Sequence, residues 1–458
     1  MIQPQPLIYF LTQYWPYIVV GGLAAAVAGL WRKLADAERR AAAEREQTFF
    51  LSILYIIMRS GKTLAHALEE AAGKREIVER LSREAAYLKR EGERSTLAEA
   101  FRKYSHPSRA FRLLIGSIGE DLESGFGVVE KLEKFIEQAT AREGERWSRY
   151  VGTVETLGEA VVSVILLVPL MYIIGIILGG FPAIYAVAIT LLAASLFYVV
   201  SAASEPMHLI DLPRAAVMGS VAVILASGGL VGLLFINAKL VPTAVVAGLL
   251  LLGWGLYVHF LYVGRAVAEG EAAFLLLDGV AARLRAGYPI GRSLEAVSDP
   301  RYAGYAKAVA RGLELRPLNR FMRLSIETVK LARLGGLGAE AIGLMSRLAI
   351  AIYLSFTNAR ARMKLYDALA IASGAAIIAV SFFVIQPLAT MPPEVSGEVQ
   401  KFLITPSLDI VLPSAALVAY ALGVVVGRVE DQTIAATWRA GAGVLLTLFI
   451  YWLASSLL

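Results

Sequence analysis

Cysteine is absent from the 458 residues of this chain, and asparagine occurs only three times. The lack of cysteine excludes disulfides, thiol nucleophiles and thiolate metal sites. The four histidines have no partners at metal-ligand spacing, and the arginines are not accompanied by an aromatic platform for stacking bases. We therefore expect no enzyme activity, no metal or other cofactor, and no nucleic-acid partner.

Lysine and arginine are also missing from eight apolar runs of about 18 to 23 residues, each long enough to cross a hydrocarbon core of ~30 Å as a helix. Hydrophobic residues make up 57% of the chain, and the mean hydropathy is +0.61. The sequence thus predicts an all-α, polytopic integral membrane protein surrounded by lipid. The predicted spans are residues 14–31, 157–178, 183–203, 215–237, 243–263, 368–388, 408–427 and 440–457.

The basic residues are distributed asymmetrically about these spans. Of the 44 Lys and Arg, 42 lie on one side of an alternating eight-span path, and only Lys239 and Lys401 lie on the other. Because Lys and Arg are retained on the cytoplasmic side, we predict a cytoplasmic-membrane protein with both termini outside. The first 14 residues lack a basic region and a small-residue cleavage site, so we expect no cleavable targeting segment.

Two long charged loops divide the chain into five parts. The parts are an external N-terminus with the first span (1–31), a first cytoplasmic helical domain (32–156), four spans (157–263), a second cytoplasmic helical domain (264–366) and three spans (367–458). The first domain is nearly neutral, with 23 bases and 21 acids, whereas the second has 16 bases and eight acids. Apolar residues recur at helical spacing in the first domain, which predicts a helical bundle.

The two cytoplasmic domains are related by an internal repeat. "RSGKTLAHALE" (59–69) aligns with "RAGYPIGRSLE" (285–295), and "FRLLIGSIGEDLESGFG" (111–127) aligns with "MRLSIETVKLARLGGLG" (322–338). Because the order is preserved, we infer that one helical unit occurs twice. The recurring glycines, predicted to form turns, are Gly61, Gly125 and Gly127 in the first copy and Gly287, Gly336 and Gly338 in the second.

Gly61-Lys62-Thr63 matches the last three positions of a nucleotide-binding P-loop, G-x-x-x-x-G-K-[ST]. The first glycine of that motif would stand at position 56, which is Ile56, and the preceding residues have helical rather than strand spacing. The second copy has Gly287-Tyr288-Pro289 at the same place, which keeps the glycine and loses the phosphate chemistry. Gly61 is therefore predicted to end a helix in a left-handed turn.

Three stretches resemble the type II secretion F-domain family, the platform proteins of type IV filament machines. They are Ser60-Gly61 with its following apolar helix, "GEDLESG" (119–125), and "VETLGEAVVSVILLVPL" (154–170). The second copy is more divergent, with Lys330 and Leu331 near the position of the first copy's Gly-Glu pair. The likeness is closest to the archaeal branch that serves archaella and adhesive pili, with the tight-adherence pilus platform proteins as relatives.

This resemblance implies a membrane platform beneath a growing filament. Its cytoplasmic domains would dock a separate hexameric secretion ATPase, whose shape changes help to lift pilin subunits out of the bilayer. The sequence leaves both a monomer and a homodimer open. An alternative interpretation is a transporter permease that docks a cytoplasmic ATPase, although transport favours polar or broken helices near mid-membrane and these spans are almost uniformly apolar.

The candidate site residues are charged groups on the two domains and at the membrane entry. Glu155 and Glu159 lie one helical turn apart where the second span begins, and Glu159, the deeper one, is the better candidate for coupling domain to membrane. The arginines of the second domain, listed below, could bind an acidic surface of the motor or anionic lipid headgroups equally well. The candidates for docking an ATPase are Glu120, Asp121, Glu123, Lys131 and Lys134 in the first domain, and Arg283, Arg285 and Arg292, with Arg316, Arg320 and Arg323, in the second.

Overall fold

The computed structural model describes residues 36–125, 127–177, 183–389 and 407–457. Within these ranges every regular element is a helix, and strand pairing is limited to one isolated bridge between Ile210 and Asn319. The predicted all-α class is therefore confirmed. The helices are α1 (36–59), α2 (Leu64–Gly73), α3 (Leu81–Arg94), α4 (Leu97–Arg102), α5 (Arg109–Ser124), α6 (Val128–Ile177), α7 (Ala183–Ser204), α8 (Arg214–Gly232), α9 (Val241–Val258), α10 (Gly264–Arg285), α11 (Ile290–Glu295), α12 (Pro300–Ala310), α13 (Arg320–Arg333), α14 (Ala339–Ala389), α15 (Ser407–Asp431) and α16 (Trp438–Leu457).

Five helical segments in the described ranges are long and apolar enough to cross a membrane. Each overlaps one of the last five predicted spans, so the chain is an all-helical, multi-pass membrane protein. One of them joins α9 to α10 without interruption through a π-helical turn, His259–Val263. The five segments are Arg214–Phe235, Ala238–Arg285, Ala339–Phe383, Val411–Asp431 and Trp438–Leu457.

The other three predicted spans are only partly covered by the structure. Residues 14–31 lie outside the described ranges. Of the span 157–178, residues up to 177 form the end of α6, where most side chains are outside the description. Residues 183–203 lie in α7, where the side chains of 183–189 are outside it. The count of eight therefore stays a prediction.

Two very long helices, α6 with 50 residues and α14 with 51, connect the charged domains to the apolar segments. They pack side by side, and their contacts advance in the same order along both helices, so the two helices are parallel. The contacts are Glu137–Arg347 at 3.8 Å, the rings of Trp147 and Phe356 at 5.5 Å, and Glu155–Arg362 at 2.8 Å. We call the end remote from the membrane, where α6 and α14 begin, the distal end.

The first charged domain has a core of large apolar side chains from α1, α2, α5 and α6. Phe50, Leu54, Phe111 and Leu132 are fully buried, and the rings of Phe50 and Phe111 meet edge to face with centroids 5.9 Å apart. Each such side chain contributes about 1.5–3 kcal/mol when it leaves water. The apolar stripes expected from helical spacing are thus the buried faces of the domain.

Both copies of the repeat share a turn at the distal end. α1 ends at Gly61 with φ +86°, and α10 ends at Gly287 with φ +83°. Since α1 is a helix, the Gly-Lys-Thr triplet does not follow the strand that a P-loop needs. Thr63 instead caps α2, its Oγ1 accepting from the His66 N–H at 3.3 Å.

The second pair of turns departs from the predicted alignment by one residue. Gly125 ends α5 with φ +72°, but its conformational equivalent is Gly335, with φ +89°, and not the predicted Gly336. A Cβ on Gly336 would lie 2.5 Å from the Ser60 Cβ, so this glycine allows the turns of the two copies to touch. Two further predicted turn glycines, just before α6 and α14, have no positive φ: Gly127 and Gly338.

The membrane helices pack around α15, which is buried along nearly its whole apolar length and contacts α7, α8, α14 and α16. Small residues allow the backbones to approach closely, as is usual for helix packing in lipid. A Cβ on Gly441 of α16 would lie 2.3 Å from the Leu252 nitrogen of α9, and one on Gly374 of α14 would lie 2.6 Å from the Ala415 carbonyl oxygen of α15.

Replacing the distal turn glycines should destabilise the protein through the backbone alone. An added Cβ at Gly61 or Gly287 meets no atom within 4 Å, so Gly61→Ala and Gly287→Ala should each cost about 1–2 kcal/mol from the left-handed conformation. Gly144→Ala, in α6 with equally open surroundings, is the matched control and should be neutral or stabilising. Thermal unfolding in detergent measures both, and equal melting temperatures for Gly61→Ala and Gly144→Ala would contradict the turn assignment.

Candidate coupling site

The charged domains meet the membrane helices at two short connections. One is the α7–α8 loop, residues 205–213, and the other is the α15–α16 turn, residues 432–437. Their polar groups bond to each other and to both neighbouring layers, and many of these groups are buried. We call this region the coupling site.

Arg439, in the first turn of α16, is buried with 1% exposure. Its Nη1 donates to Asp431 Oδ2 at 2.7 Å, its Nη2 donates to Glu430, and its Nε donates to Asp367. Glu430 and Asp431 end α15, and Asp367 lies on α14. One guanidinium therefore joins three membrane helices.

A second arginine and a histidine complete this cluster. Arg360 on α14 donates from Nη2 to Asp431 Oδ1 at 2.6 Å and lies 3.8 Å from Glu430. The Nδ1 atom of His259 lies 3.6 Å from Asp431 Oδ2, too far for a hydrogen bond. Two permanent positive charges thus face three carboxylates, with the His259 ring beside them.

The cluster fixes one arrangement of helix ends because its charges are buried. A buried ion without its partner costs several kcal/mol, so each carboxylate holds its helix where a guanidinium can reach it. A guanidinium has five N–H donors, so Arg439 alone can donate to three carboxylates at once. The arrangement holds the three helices together through ion pairs.

The α7–α8 loop is attached to α15 by a second buried ion pair. Glu205 Oε2 accepts from Arg428 Nη2 at 2.7 Å, and Glu205 Oε1 lies 3.3 Å from His208 Nδ1. Burial alone raises the pKa of Glu205, but the Arg428 guanidinium and the His208 ring together lower it to about 2. Glu205 is therefore ionised, and its charge holds the loop against α15.

Gln432 connects the α15–α16 turn to the same loop. Its Nε2 donates to the Met207 carbonyl at 2.6 Å, and its Oε1 accepts from the Leu209 N–H at 2.8 Å. Gln432 has φ +55°, a left-handed conformation that is uncommon for a residue with a side chain. The side-chain amide of Gln432 donates one hydrogen bond and accepts another, and these two bonds offset that strain.

On its other side the α7–α8 loop pairs with the second charged domain. The Asp211 N–H donates to the Leu318 carbonyl at 2.8 Å, and the Arg320 N–H donates to the Leu209 carbonyl at 2.9 Å. Arg323 Nη1 also donates to Asp211 Oδ2 at 2.7 Å. The loop thus lies between α15 and the start of α13, and it bonds to both.

A buried glutamate on the first helix of each domain holds the start of another helix. Glu269 Oε2 accepts from the N–H groups of Leu318 and Asn319, at 2.6 and 2.9 Å. In the first domain Glu46 Oε2 accepts from the two N–H groups at the start of α3, each at 2.9 Å. Burial raises the pKa of Glu46, opposed by these backbone bonds and by the nearby Arg320. The sequence analysis missed both glutamates.

The two predicted coupling acids at the membrane entry differ in their contacts. Glu155, which was the weaker candidate, accepts from Arg362 Nη2 at 2.8 and 3.0 Å, and its carbonyl accepts from the Tyr366 hydroxyl at 3.1 Å. Glu159 is exposed, and its carboxylate has no hydrogen-bond or ion-pair partner within the described ranges. The polar contact between α6 and α14 at this level is therefore made by Glu155, and the coupling role of either acid stays a prediction.

The docking candidates of the first domain lie together near the distal end, on α5 and α6. Asp121 pairs with Lys131 at 2.7 Å and Glu123 pairs with Arg102 at 3.2 Å, so these charges have partners inside the domain. The exposed members of the predicted set are Glu120, Glu123 and Lys134.

The basic candidates of the second domain form two groups and not one cluster. Arg283 donates to the carbonyls of Ser293 and Ala296, at 2.7 and 3.0 Å, so it stabilises the α10–α11 connection. Arg285 and Arg292 are exposed near the same distal turn. The other group lines a cleft beside the α7–α8 loop and consists of Arg316, Arg320 and Arg323.

Three exposed apolar residues at the distal end were also missed by the sequence analysis. Tyr288, Leu313 and Leu334 are 58%, 53% and 82% exposed, and each is adjacent to a glycine with positive φ. Arg333 donates to the Val309 carbonyl at 2.9 Å, which brings the ends of α12 and α13 together. Exposed apolar residues at one end of a domain are candidates for an interaction surface, and we call these three the distal apolar residues.

Comparison with protein-family models, with curated proteins and with solved structures finds no match. Within the described ranges, no group of three or more His, Asp or Glu side chains is placed to hold a metal ion. Functional inference for this chain therefore depends on its own geometry.

Removal of Arg439 should be among the most damaging single changes in the membrane bundle. Arg439→Met leaves three carboxylates without their shared donor and should cost about 3–5 kcal/mol, lowering the melting temperature in detergent. Arg362→Met is the matched control: Arg362 is half exposed and has one partner, so its loss should cost less than about 1 kcal/mol. Adding Asp431→Asn and Asp367→Asn to Arg439→Met should recover part of the stability. Equal melting temperatures for the two single variants would show that the cluster contributes little.

The Glu205 carboxylate should make stability depend on acid pH. Its pKa is about 2 when folded, below the ordinary 4.5, so its contribution is complete above about pH 4.5 and is lost as the pH falls toward 2. Glu205→Gln should therefore melt lower than the wild type at neutral pH, with the difference shrinking as the pH falls. The exposed, unpaired Glu120→Gln is the control and should follow the wild type throughout. A constant difference between Glu205→Gln and wild type from pH 7 to about pH 3 would contradict this assignment.

Proposed function

We propose that this chain is a membrane platform protein of a type IV filament assembly machine, of the archaeal pilus or archaellum kind, or of a related secretion system. In this role it docks a cytoplasmic hexameric ATPase with its charged domains and passes the motor's movement to pilin subunits in the bilayer. The charged domains are then cytoplasmic, and both termini lie outside.

The observation that carries the proposal is the parallel pair α6 and α14. Each helix begins at a distal turn and continues into an apolar segment, so there is no flexible joint between the docking end and the membrane. Contacts from Glu137–Arg347 to Glu155–Arg362 hold the pair together along the way. Such a pair suits the transmission of force, which a platform needs.

The distal end supports the proposal because it is chemically suited to bind a partner. The distal apolar residues offer contact area, and Arg285 and Arg292 supply positive charge close by. Interfaces commonly combine an apolar centre with a charged rim. We therefore place the ATPase contact at this end of the second domain, with Glu120, Glu123 and Lys134 of the first domain as further rim residues.

A transporter permease that docks a different ATPase is the alternative. Transporters bind their substrates near mid-membrane between discontinuous helices with polar surfaces. The central helix α15 is instead continuous and packs through small apolar residues. The buried hydroxyls of Ser414 and Thr447 donate to backbone carbonyls of their own helices. These contacts favour a structural bundle over a substrate path.

The test is mild cross-linking of the tagged full-length protein in its native membrane, followed by affinity purification and mass spectrometry. We expect a hexameric secretion ATPase together with small pilin-like proteins. Recovery of a substrate-binding protein or a two-domain transport ATPase, without pilins, would overturn the proposal in favour of the permease.

A surface variant locates the contact. The triple change Tyr288→Ser, Leu313→Ser and Leu334→Ser should lower recovery of the ATPase at least about tenfold, since apolar anchors dominate interface energies. The matched control changes one tyrosine and two leucines of similar exposure elsewhere: Tyr87→Ser, Leu113→Ser and Leu354→Ser. Unchanged melting temperatures show that both variants fold. Equal ATPase recovery from the two would place the docking surface elsewhere.

A further inference from the structure

A cleft of about 600 Å³ lies where the two charged domains meet the α7–α8 loop. The first domain, the second domain and the start of α8 each contribute arginines to it. Six arginines face three acids, so the cleft has an excess of three positive charges. The arginines are Arg75, Arg83, Arg214, Arg316, Arg320 and Arg323, and the acids are Glu76, Glu79 and Asp211.

Most of this positive charge is not neutralised by the protein. Four of the six arginines are exposed and have no ion-pair partner among the residues that the structure describes: Arg75, Arg83, Arg214 and Arg316. Like charges brought together repel each other, so a cleft of this kind is stabilised by an anion. The guanidinium groups point to a ligand with several oxygen acceptors, and phosphate matches their fork geometry best.

Arg320 supplies an independent sign of a missing acceptor. Its side chain is 7% exposed, its Nη2 donates to Glu79 at 3.1 Å, and its Nη1 lies 3.6 Å from Glu46. The Nε N–H, however, is buried in the cleft wall without a hydrogen-bond partner. Buried donors in native proteins are normally satisfied, so this N–H in the wall of a positively charged cleft is still short of an acceptor.

The cleft lies at the level of the membrane surface. Arg214 is the first residue of the membrane helix α8, and the α7–α8 loop, which forms the floor, joins two membrane helices. This position would allow the headgroup of a lipid to enter the cleft while its chains stay in the hydrocarbon. Basic pockets at this level are known sites for phosphate headgroups.

We propose that this cleft binds the phosphate headgroup of an anionic phospholipid, which bridges the first domain, the second domain and α8. The site does not depend on the proposed platform function, since it requires only a membrane with anionic lipid. Such a lipid would neutralise the arginines and hold the two domains against the bundle. Inorganic phosphate shares the headgroup chemistry, and the experiment separates these two sources.

The experiment is native mass spectrometry of the full-length protein in a neutral detergent, titrated separately with phosphatidylglycerol and phosphatidylcholine of the same chain length. We expect phosphatidylglycerol to bind preferentially and to raise the melting temperature. In the triple variant Arg75→Gln, Arg214→Gln and Arg316→Gln, the apparent affinity for phosphatidylglycerol should fall roughly 100-fold, because each surface cation contributes about a fivefold factor. These three side chains are exposed and unpaired, so the variant should fold normally.

The control triple variant changes exposed, unpaired arginines outside the cleft: Arg109→Gln, Arg112→Gln and Arg311→Gln. It removes the same charge and should bind phosphatidylglycerol nearly as the wild type does. Equal losses in the two triple variants would mean that net charge alone attracts the lipid, and the cleft would not be a site. If millimolar inorganic phosphate raises the melting temperature as much as phosphatidylglycerol and displaces it, the ligand is a soluble anion and the lipid proposal is overturned.

Discussion

The charge cluster around Arg439 is the interaction on which the rest of the molecule depends. It joins the end of α15 and the start of α16 to the middle of α14 at the border of the membrane bundle. The α15–α16 turn that follows then presents Gln432 to the α7–α8 loop, and the loop presents its own backbone to residues 318–320. Because Glu269 holds that segment in turn, a continuous set of buried polar contacts connects the membrane core with the second charged domain.

The same contacts explain why the region tolerates so much buried charge. Ions in a low-dielectric interior are costly unless each is paired, and here every carboxylate of the cluster has an arginine within bonding distance. A purely apolar junction would be more stable but would allow helix ends to slide, whereas charges accept few arrangements. The coupling site therefore gains a defined geometry at the expense of stability.

Local features of the fold could be predicted from the sequence, and contacts between distant residues could not. Hydropathy located the five spans that the structure describes, and helical spacing found the buried stripes and the turns at Gly61 and Gly287. Arg439 and Asp367 are 72 residues apart, so their ion pair could not be seen in the sequence. Arg439, at the end of a span, was interpreted only as evidence for the orientation of the chain in the membrane. The motif "RVEDQTIAATWR" (428–439), with opposite charges at both ends of a short turn, was the available clue.

The position of a residue around its helix explains why these site residues were missed in the sequence. Glu46 precedes its turn glycine by 15 residues and Glu269 precedes its own by 18, a difference of nearly one helical turn, which an ungapped alignment of the repeat conceals. Glu155 and Glu159 are likewise one turn apart, but only Glu155 contacts a cation, because Arg362 of the neighbouring helix α14 lies at its level. Which residue of a helical face finds a partner depends on the neighbouring helix, and a single sequence does not contain that information.

The length of α6 and α14 has a mechanical consequence. A helix of 50 residues is about 75 Å long, so a tilt of about 5° at one end displaces the other by about 6 Å, more than one helical turn. The α7–α8 loop contacts α6 and the Arg439 cluster contacts α14 near the middle of each helix, so a rocking of the charged domains would pivot there. Since these contacts lie near mid-helix, a tilt of about 5° there would move the membrane ends sideways by about 3–4 Å, without any change in secondary structure.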